Sequence, residues 1–177
     1  MVEWRYFLNY LRATPDLCPY RTEWLVYYEE LHLSGSIDMV YENADGTLSI
    51  YDWKRAKEIA KRDDNQWQRF STTAAIDHIP DTNFWHYALQ LNIYRTILER
   101  KYGKKVTRLA LVRLHPDAPD YELIPVPLLD GDMDVLFAER RRSIVGDKKR
   151  SAADAAHVAI THAAEKRVAQ PPCRLFM

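Results

Sequence analysis

The chain has 177 residues with 25 basic and 25 acidic side chains, so its net charge is zero. Hydrophobic residues make up 47% and charged residues 28%, which is typical of a globular protein and excludes a disordered or fibrous chain. The length suffices for one domain with a real core. Zero net charge excludes recruitment of polyanions by a global field, although a locally basic cleft can lie on a neutral protein.

Cysteine spacing and hydropathy exclude further classes. Cys18 and Cys173 have no CxxC spacing, so they predict neither a disulfide framework nor a zinc or iron–sulfur site. Reduced thiols are typical of intracellular proteins, and we expect the cytoplasm or the nucleus. No apolar run reaches the roughly 18 residues of a transmembrane helix, and the first ten residues carry charges that a signal peptide excludes.

The first half of the chain predicts a helix and a β-meander. Apolar residues at helical spacing predict a short helix over residues 2–11. The run that follows predicts three strands, at residues 22–29, 31–41 and 47–53. Asn43 to Gly46 supply the turn of a hairpin, because Gly46 can take a positive φ. Residues 55–81 are polar and predict a mobile or partly helical connection.

The second half begins with a strong helix over residues 83–103. Asp81 or Thr82 can cap its first turn, and Gly103 can end it. Two further strands and one or two helices are predicted after it, at residues 106–114, 122–126, 133–145 and 151–167. This order predicts an α/β (α+β) fold, a small mixed sheet flanked by helices with further helices at the C-terminus.

The pentapeptide IYDWK at residues 50–54 brings an acid and a base to the end of an apolar strand. Asp52 and Lys54 share one face, because side chains alternate along a strand. The hairpin places Asp38 across from roughly residues 50–52, so two carboxylates can converge. Such a pair repels unless a cation neutralises it, and Mg²⁺ accepts one or two carboxylates plus waters and phosphate oxygens. Lys54 can hold or deprotonate an attacking water.

GSID followed by IYDWK resembles the D-x(n)-(D/E)-x-K signature of the PD-(D/E)XK nuclease superfamily. The next predicted helix contains LQLNIYRTIL, in which Gln90 and Tyr94 are similar to the Q-x-x-x-Y motif of the RecB-like branch with its λ-exonuclease relatives. The resemblance covers about residues 20–114. It implies a restriction-endonuclease-like αβββαβ core. We therefore expect residues 1–177 to form one nuclease-like domain, with a core at about 20–127 and a helical C-terminal extension at 128–177.

The same resemblance implies the members of the site. The implied catalytic residues are Asp38, Asp52, Lys54, Gln90 and Tyr94. The implied metal is Mg²⁺ or Mn²⁺, held by Asp38, Asp52 and the backbone carbonyl of Trp53. The cysteines that hold an iron–sulfur cluster in some relatives have no counterpart here, so we expect no cluster.

Two features of the metal site stay open. Glu23 takes the place of an acidic residue that often accompanies this branch on the preceding strand, so it is either part of the metal shell or a solvated strand residue. RecB-like enzymes usually have an upstream helix that contributes a His or Glu, and the first helix here offers only Glu3. The chain is then a piece of a longer polypeptide or complex, or its site lacks one ligand.

Basic and aromatic residues directly after Lys54 predict a nucleic-acid contact. The candidates for an arm that grips phosphates are Arg55, Lys57, Lys61, Arg62, Trp67 and Arg69. Trp53, Phe84 and Trp85 are further candidates for stacking on bases, although aromatic side chains belong more often to the core.

The resulting hypothesis is a metal-dependent, exonuclease-like deoxyribonuclease of DNA replication, recombination or repair. The alternative is a catalytically inactive nuclease fold that serves as a DNA-binding or scaffold module of a larger protein. A restriction-type endonuclease is the third reading. Strand preference, DNA versus RNA and oligomeric state are left open by the sequence.

Overall fold

The computed structural model describes residues 2–62 and 68–168, with side chains as far as residue 149. The chain divides into two compact units, Met1–Phe137 and Ala138–Met177. The first unit contains all five strands, the first two helices and the start of the third helix. The predicted site residues that the structure describes therefore all belong to this unit.

The elements follow the order expected from the sequence. The helices are α1 at Val2–Ala13, α2 at Asn83–Tyr102 and α3 at Asp130–Val168. The strands are β1 at Cys18–Tyr28, β2 at Leu33–Glu42, β3 at Leu48–Lys54, β4 at Val106–Arg113 and β5 at Glu122–Val126. Two 3₁₀ turns lie at Glu29–Leu31 and Ala74–Ile76.

The five strands form one mixed sheet in the order β1-β2-β3-β4-β5. β3 and β4 are parallel, and the other neighbours are antiparallel. Parallel neighbours need a long crossover connection, and the segment that contains α2 supplies it. The α1-β1-β2-β3-α2-β4 order confirms the expected restriction-endonuclease-like αβββαβ core.

Some element boundaries differ from the sequence-based ones for local reasons. A 3₁₀ turn separates β1 from β2 and ends at His32, whose φ of 49° is left-handed, so β2 begins later than expected. Thr82 is the N-cap residue of α2, but its hydroxyl makes no capping bond. Gly103 ends α2 as predicted, with φ 62° and its N–H bonded to the Leu98 carbonyl. The tail forms one helix, α3, as far as Val168, and residues 169–177 lie outside the described part.

The two faces of the sheet carry different helices. On one face, Tyr10 of α1 packs in a buried cluster with Met39, Tyr51 and Val112. Since Asp52 follows Tyr51 on an alternating strand, Asp52 points to the opposite face, where α2 lies. Packing against α1 therefore fixes the position of β3. The polar residues at the end of β3, Asp52 and Lys54, point to the other face, on which α2 lies.

Asn92 ties α2 to the connection between β5 and α3. Its side chain is fully buried, its amide donates to the Ala88 and Pro127 carbonyls at 2.8 and 3.0 Å, and its Oδ1 accepts the Leu129 N–H at 2.9 Å. The bonds to Pro127 and Leu129 satisfy backbone groups in the connection between β5 and α3, outside the strand and helix ladders.

We expect Asn92→Ala to lower the free energy of unfolding by about 1–3 kcal/mol, because the partly buried Pro127 carbonyl and Leu129 N–H lose this partner. Urea denaturation measures the loss. Asn9→Ala is the matched control, since the half-buried amide of Asn9 bonds to the side chains of Asp120 and Arg12. An Asn92→Ala loss no larger than that of Asn9→Ala would contradict this role.

Candidate active site

The hairpin register brings the two predicted carboxylates together. β2 and β3 pair Met39 with Tyr51 and Val40 with Ile50, so Asp38 lies across from Asp52. Sequence reasoning placed Asp38 across from roughly residues 50–52, and the register selects the last of these. Both carboxylates lie where β3 runs on towards Lys54, beyond the last pair of the β2–β3 ladder.

Asp38 is held by the backbone of the neighbouring strand. Its Oδ2 accepts the Trp53 N–H at 3.0 Å. A backbone N–H that binds a carboxylate is a charge-assisted hydrogen bond, so the bond fixes the side chain between β2 and β3. The Trp53 peptide thereby lies directly beside the carboxylate pair.

Asp52 is a buried carboxylate with one close cation. It is 2% exposed, and Lys54 Nζ lies 2.5 Å from its Oδ2. The same oxygen makes no hydrogen bond of acceptable geometry, so the contact is an ion pair whose angles are poor for a hydrogen bond. Burial raises the pKa of Asp52, the ammonium of Lys54 opposes this rise, and the charge of Asp38 adds to it.

Lys54 is held in turn by α2. Its Nζ is 3.5 Å from Gln90 Oε1, and Gln90 Nε2 donates to the Tyr94 hydroxyl at 2.9 Å. Nζ also lies 4.5 Å from the centre of the Tyr87 ring, a cation–π geometry. The five predicted catalytic side chains thus form one connected group, from Asp38 and Asp52 through Lys54 to α2.

Two further residues of this group were not assigned a role from the sequence. Tyr87 lies three residues before Gln90, and this helical spacing, which puts both on one face, was the available signal. No sequence pattern around Gly35 of β2 indicated that it belongs to this group. A Cβ atom there would lie 2.3 Å from Tyr94 Cε1, so the ring of Tyr94 occupies the space that any other residue would need.

Glu23 lies at an irregular point of β1. The neighbouring ladder pairs are Thr22 with Met39 and Trp24 with Ile37, which puts Glu23 opposite Asp38. Its φ of 46° is left-handed, a strained backbone of the kind that occurs at functional sites. Its Oε2 accepts a hydrogen bond from the Ser36 hydroxyl at 3.3 Å.

The donor set at the end of β3 suits a divalent cation. Within residues 2–62 and 68–149, no group of three or more His, Cys, Asp or Glu side chains converges closely enough to hold one. Mg²⁺ nevertheless needs only one or two protein carboxylates, because waters and substrate oxygens complete its shell. Asp38 and Asp52 with the Trp53 carbonyl fit that requirement, and the buried charge of Asp52 favours a cation beside it.

The acidic residue of α1 has a different partner. Glu3 Oε1 lies 2.9 Å from Arg55 Nε. A backbone hydrogen bond and the Arg55 guanidinium lower the pKa of Glu3. The ion pair connects α1 to the residue that directly follows Lys54.

The predicted phosphate-gripping residues lie at the surface. The exposed cations are Arg55, Lys57, Lys61, Arg62 and Arg69, and Trp67 lies outside the described residues. Among the other aromatic candidates, Phe84 is 1% exposed and belongs to the core, so it cannot stack on a base. Trp53 is half-buried and meets Phe7 and Tyr10 edge to face.

We expect Gly35→Ala to lower the free energy of unfolding by about 1–3 kcal/mol, because the added Cβ overpacks against Tyr94. Thermal or urea unfolding measures the loss. Gly131→Ala is the control, since a Cβ there meets nothing within 4 Å. In a Tyr94→Ala background the Gly35→Ala loss should largely disappear, and an unchanged loss there would contradict the proposed clash.

The pH dependence of stability should reveal the raised pKa of Asp52. The folded protein binds the Asp52 proton more tightly than the unfolded chain does. Protonation of Asp52 therefore contributes fully to stability at a pH below the pKa that Asp52 has in the unfolded chain. This contribution is lost as the pH rises through the pKa that Asp52 has in the folded protein. The difference in unfolding free energy, wild type minus Asp52→Asn, should therefore fall across this window, as urea titrations at stepped pH would show. A difference that rises with pH would contradict the shift.

Comparison with known proteins was made for sequence and for structure. A sequence profile of the PD-(D/E)XK nuclease superfamily matches residues 2–171. No functionally curated protein matches the sequence significantly. One solved structure that matches is that of SSO0001, at 18% sequence identity and a TM-score of 0.38, covering 78% of this chain and 55% of that one. The chain thus spans about half the length of that protein.

The match of residues 2–171 extends beyond the region of the sequence motifs and includes α1, the whole sheet and α2. The chain belongs to the PD-(D/E)XK nuclease superfamily.

Proposed function

We propose that the protein is a divalent-metal-dependent deoxyribonuclease of the RecB-like type, exonuclease-like in action. The observation that supports this most is the register that sets Asp38 against Asp52, with the Lys54 ammonium 2.5 Å from Asp52. A surface ion pair would leave both partners solvated, whereas Asp52 is buried. A pair of like-charged carboxylates, of which Asp52 is buried and Asp38 half-buried, is costly to maintain with one lysine unless it serves a site.

Asp38, Asp52 and the Trp53 carbonyl would hold the cation, Mg²⁺ or Mn²⁺. When bound, the ion supplies a Lewis acid for the phosphoryl oxygens and lowers the pKa of a coordinated water. The Trp53 N–H keeps Asp38 in place through its 3.0 Å bond. Burial of Asp52 excludes bulk water from the same point, which strengthens every charge interaction there.

Lys54 would orient the attacking water and stabilise the charge that develops on the phosphate. Gln90 and Tyr87 hold its Nζ from the side of α2. The Tyr87 ring attracts the ammonium group through its π face. Tyr94 holds Gln90 through the 2.9 Å bond, so the Q-x-x-x-Y pair acts here as a support for the lysine.

The exposed cations between Lys54 and α2 would grip the phosphates on either side of the cleaved bond. Lys57 is 80% and Arg55 68% exposed at the side chain, so both remain largely accessible to a solvated polyanion. Such contacts make DNA binding salt-dependent.

An intracellular location, in cytoplasm or nucleus, and a role in replication, recombination or repair belong to the same proposal. No helix in the described part of the chain is long and apolar enough to cross a membrane.

We expect the purified protein with Mg²⁺ or Mn²⁺ to degrade linear DNA, and Lys54→Ala to reduce the rate by roughly 10²–10⁴-fold, the range for loss of a positioned proton-transfer group. Lys57→Ala is the matched control and should lower the affinity, with a shallower salt dependence, but leave the rate at saturation unchanged. Gel analysis of end-labelled linear and circular DNA measures the rates. Intact DNA under all these conditions, or full activity of Lys54→Ala, would contradict the proposal.

Calorimetry with Mg²⁺ separates an active site from an inactive one. Binding that is lost in Asp38→Asn supports the proposed metal site. Absence of Mg²⁺ and Mn²⁺ binding together with absence of cleavage would instead identify a DNA-binding or scaffold module. Cleavage of closed circular DNA as fast as linear DNA would contradict end-dependent action and indicate an endonuclease.

A further inference from the structure

A cavity of about 310 Å³ lies between α1 and the sheet, beside the candidate active site. Its walls include Phe7 and Leu11 of α1, Met39 of β2 and Trp53 of β3. Asp38 and Glu23 also line it. Leu11 is 44% exposed, so the cavity has an outer rim at the surface of α1.

The chemistry of the lining is selective. Its walls are aromatic and aliphatic, and its charged groups are the two carboxylates. A phosphate would be repelled by these carboxylates, whereas a planar heterocycle can pack against Phe7 and Trp53 and donate N–H groups to Glu23. The volume is at the lower end of the roughly 300–1,000 Å³ typical of small-molecule sites, which suits a single base.

The cavity and the candidate active site share two residues. Asp38 lines the cavity and faces Asp52 across the hairpin. Trp53 presents its ring to the cavity, while its N–H binds Asp38. A ligand in the cavity is thus in direct contact with Asp38 and Trp53, two of the three residues that would hold the cation at the phosphate.

We propose that this cavity binds the base of the nucleotide that adjoins the cleaved phosphate. The proposal rests on the proposed nuclease function and assigns a base subsite to it. A base can enter only after it has left its stack. The protein should therefore prefer single-stranded DNA or frayed ends over intact duplex, and a sugar without a base should be a poor substrate at that position.

The first test compares an oligonucleotide that has one abasic nucleotide with the intact single strand. Wild type should cleave beside the abasic position at least about 10-fold more slowly, the effect expected from one lost base contact. Leu11→Trp, which fills the cavity from α1, should slow cleavage of the intact strand to the abasic level. Thr22→Phe, which fills it from β1, should do the same. Equal rates on both strands in wild type would overturn the proposal.

Leu128→Trp is the matched control. Leu128 is 40% exposed, close to the 44% of Leu11, and it does not line the cavity. The control should keep the preference for the intact strand. A loss of preference in Leu128→Trp equal to that in Leu11→Trp would show a nonspecific effect and overturn the assignment to the cavity.

A binding measurement separates this proposal from the nuclease function. A single strand with a terminal 2-aminopurine should change its fluorescence on binding to Asp52→Asn, and Leu11→Trp in that background should abolish the change. If wild type cleaves DNA but no such change occurs, the base subsite is wrong and the nuclease function stands. If the change occurs and depends on Leu11 while wild type cleaves nothing, the subsite stands and the nuclease function is wrong.

Discussion

The buried charge of Asp52 is the constraint around which the site is organised. Asp52 is 2% exposed, so its charge needs a partner that replaces the lost hydration. Among the described residues, the only cation within 4 Å of it is Lys54. Lys54 is in turn held by Gln90 and Tyr87 of α2. The position of α2 on the sheet is therefore linked to the electrostatics of one carboxylate, and Gly35 makes room for the Tyr94 ring that completes the contact.

On the opposite face of the sheet, hydrophobic burial stabilises β3. Tyr10, Tyr51 and Met39 bury aromatic and aliphatic area under α1, and burial raises the pKa of Tyr10, whose hydroxyl bonds to that of Tyr41. Hydrophobic burial on this side fixes β3 firmly enough to present Asp52 and Lys54 on the other. Trp53 belongs to both environments, since its ring packs on α1 and its N–H binds Asp38.

The local patterns of the sequence predicted the order of the elements and which of the candidate site residues share a face. Alternation placed Asp52 and Lys54 on one face, and the Asn43–Gly46 turn set the hairpin that brings Asp38 near them. The spacing of Gln90 and Tyr94 put both on one helical face. These predictions depend on neighbours within a few residues, where backbone geometry alone determines direction. For the C-terminal tail the sequence left one or two helices open, because periodicity does not show whether a helix is interrupted.

Contacts between residues far apart in the sequence could be read only from the fold. The pairing of Asp38 with Asp52, rather than with Ile50, follows from the register of β2 and β3. The Tyr87 ring over Lys54 and the Tyr94 ring over Gly35 each join residues at least 30 positions apart, and the cavity under α1 joins that helix to three strands. No local pattern specifies such contacts, because they depend on how helices pack on a twisted sheet. Strand alternation and helical spacing thus determine which side chains share a face, whereas tertiary packing determines which of them meet.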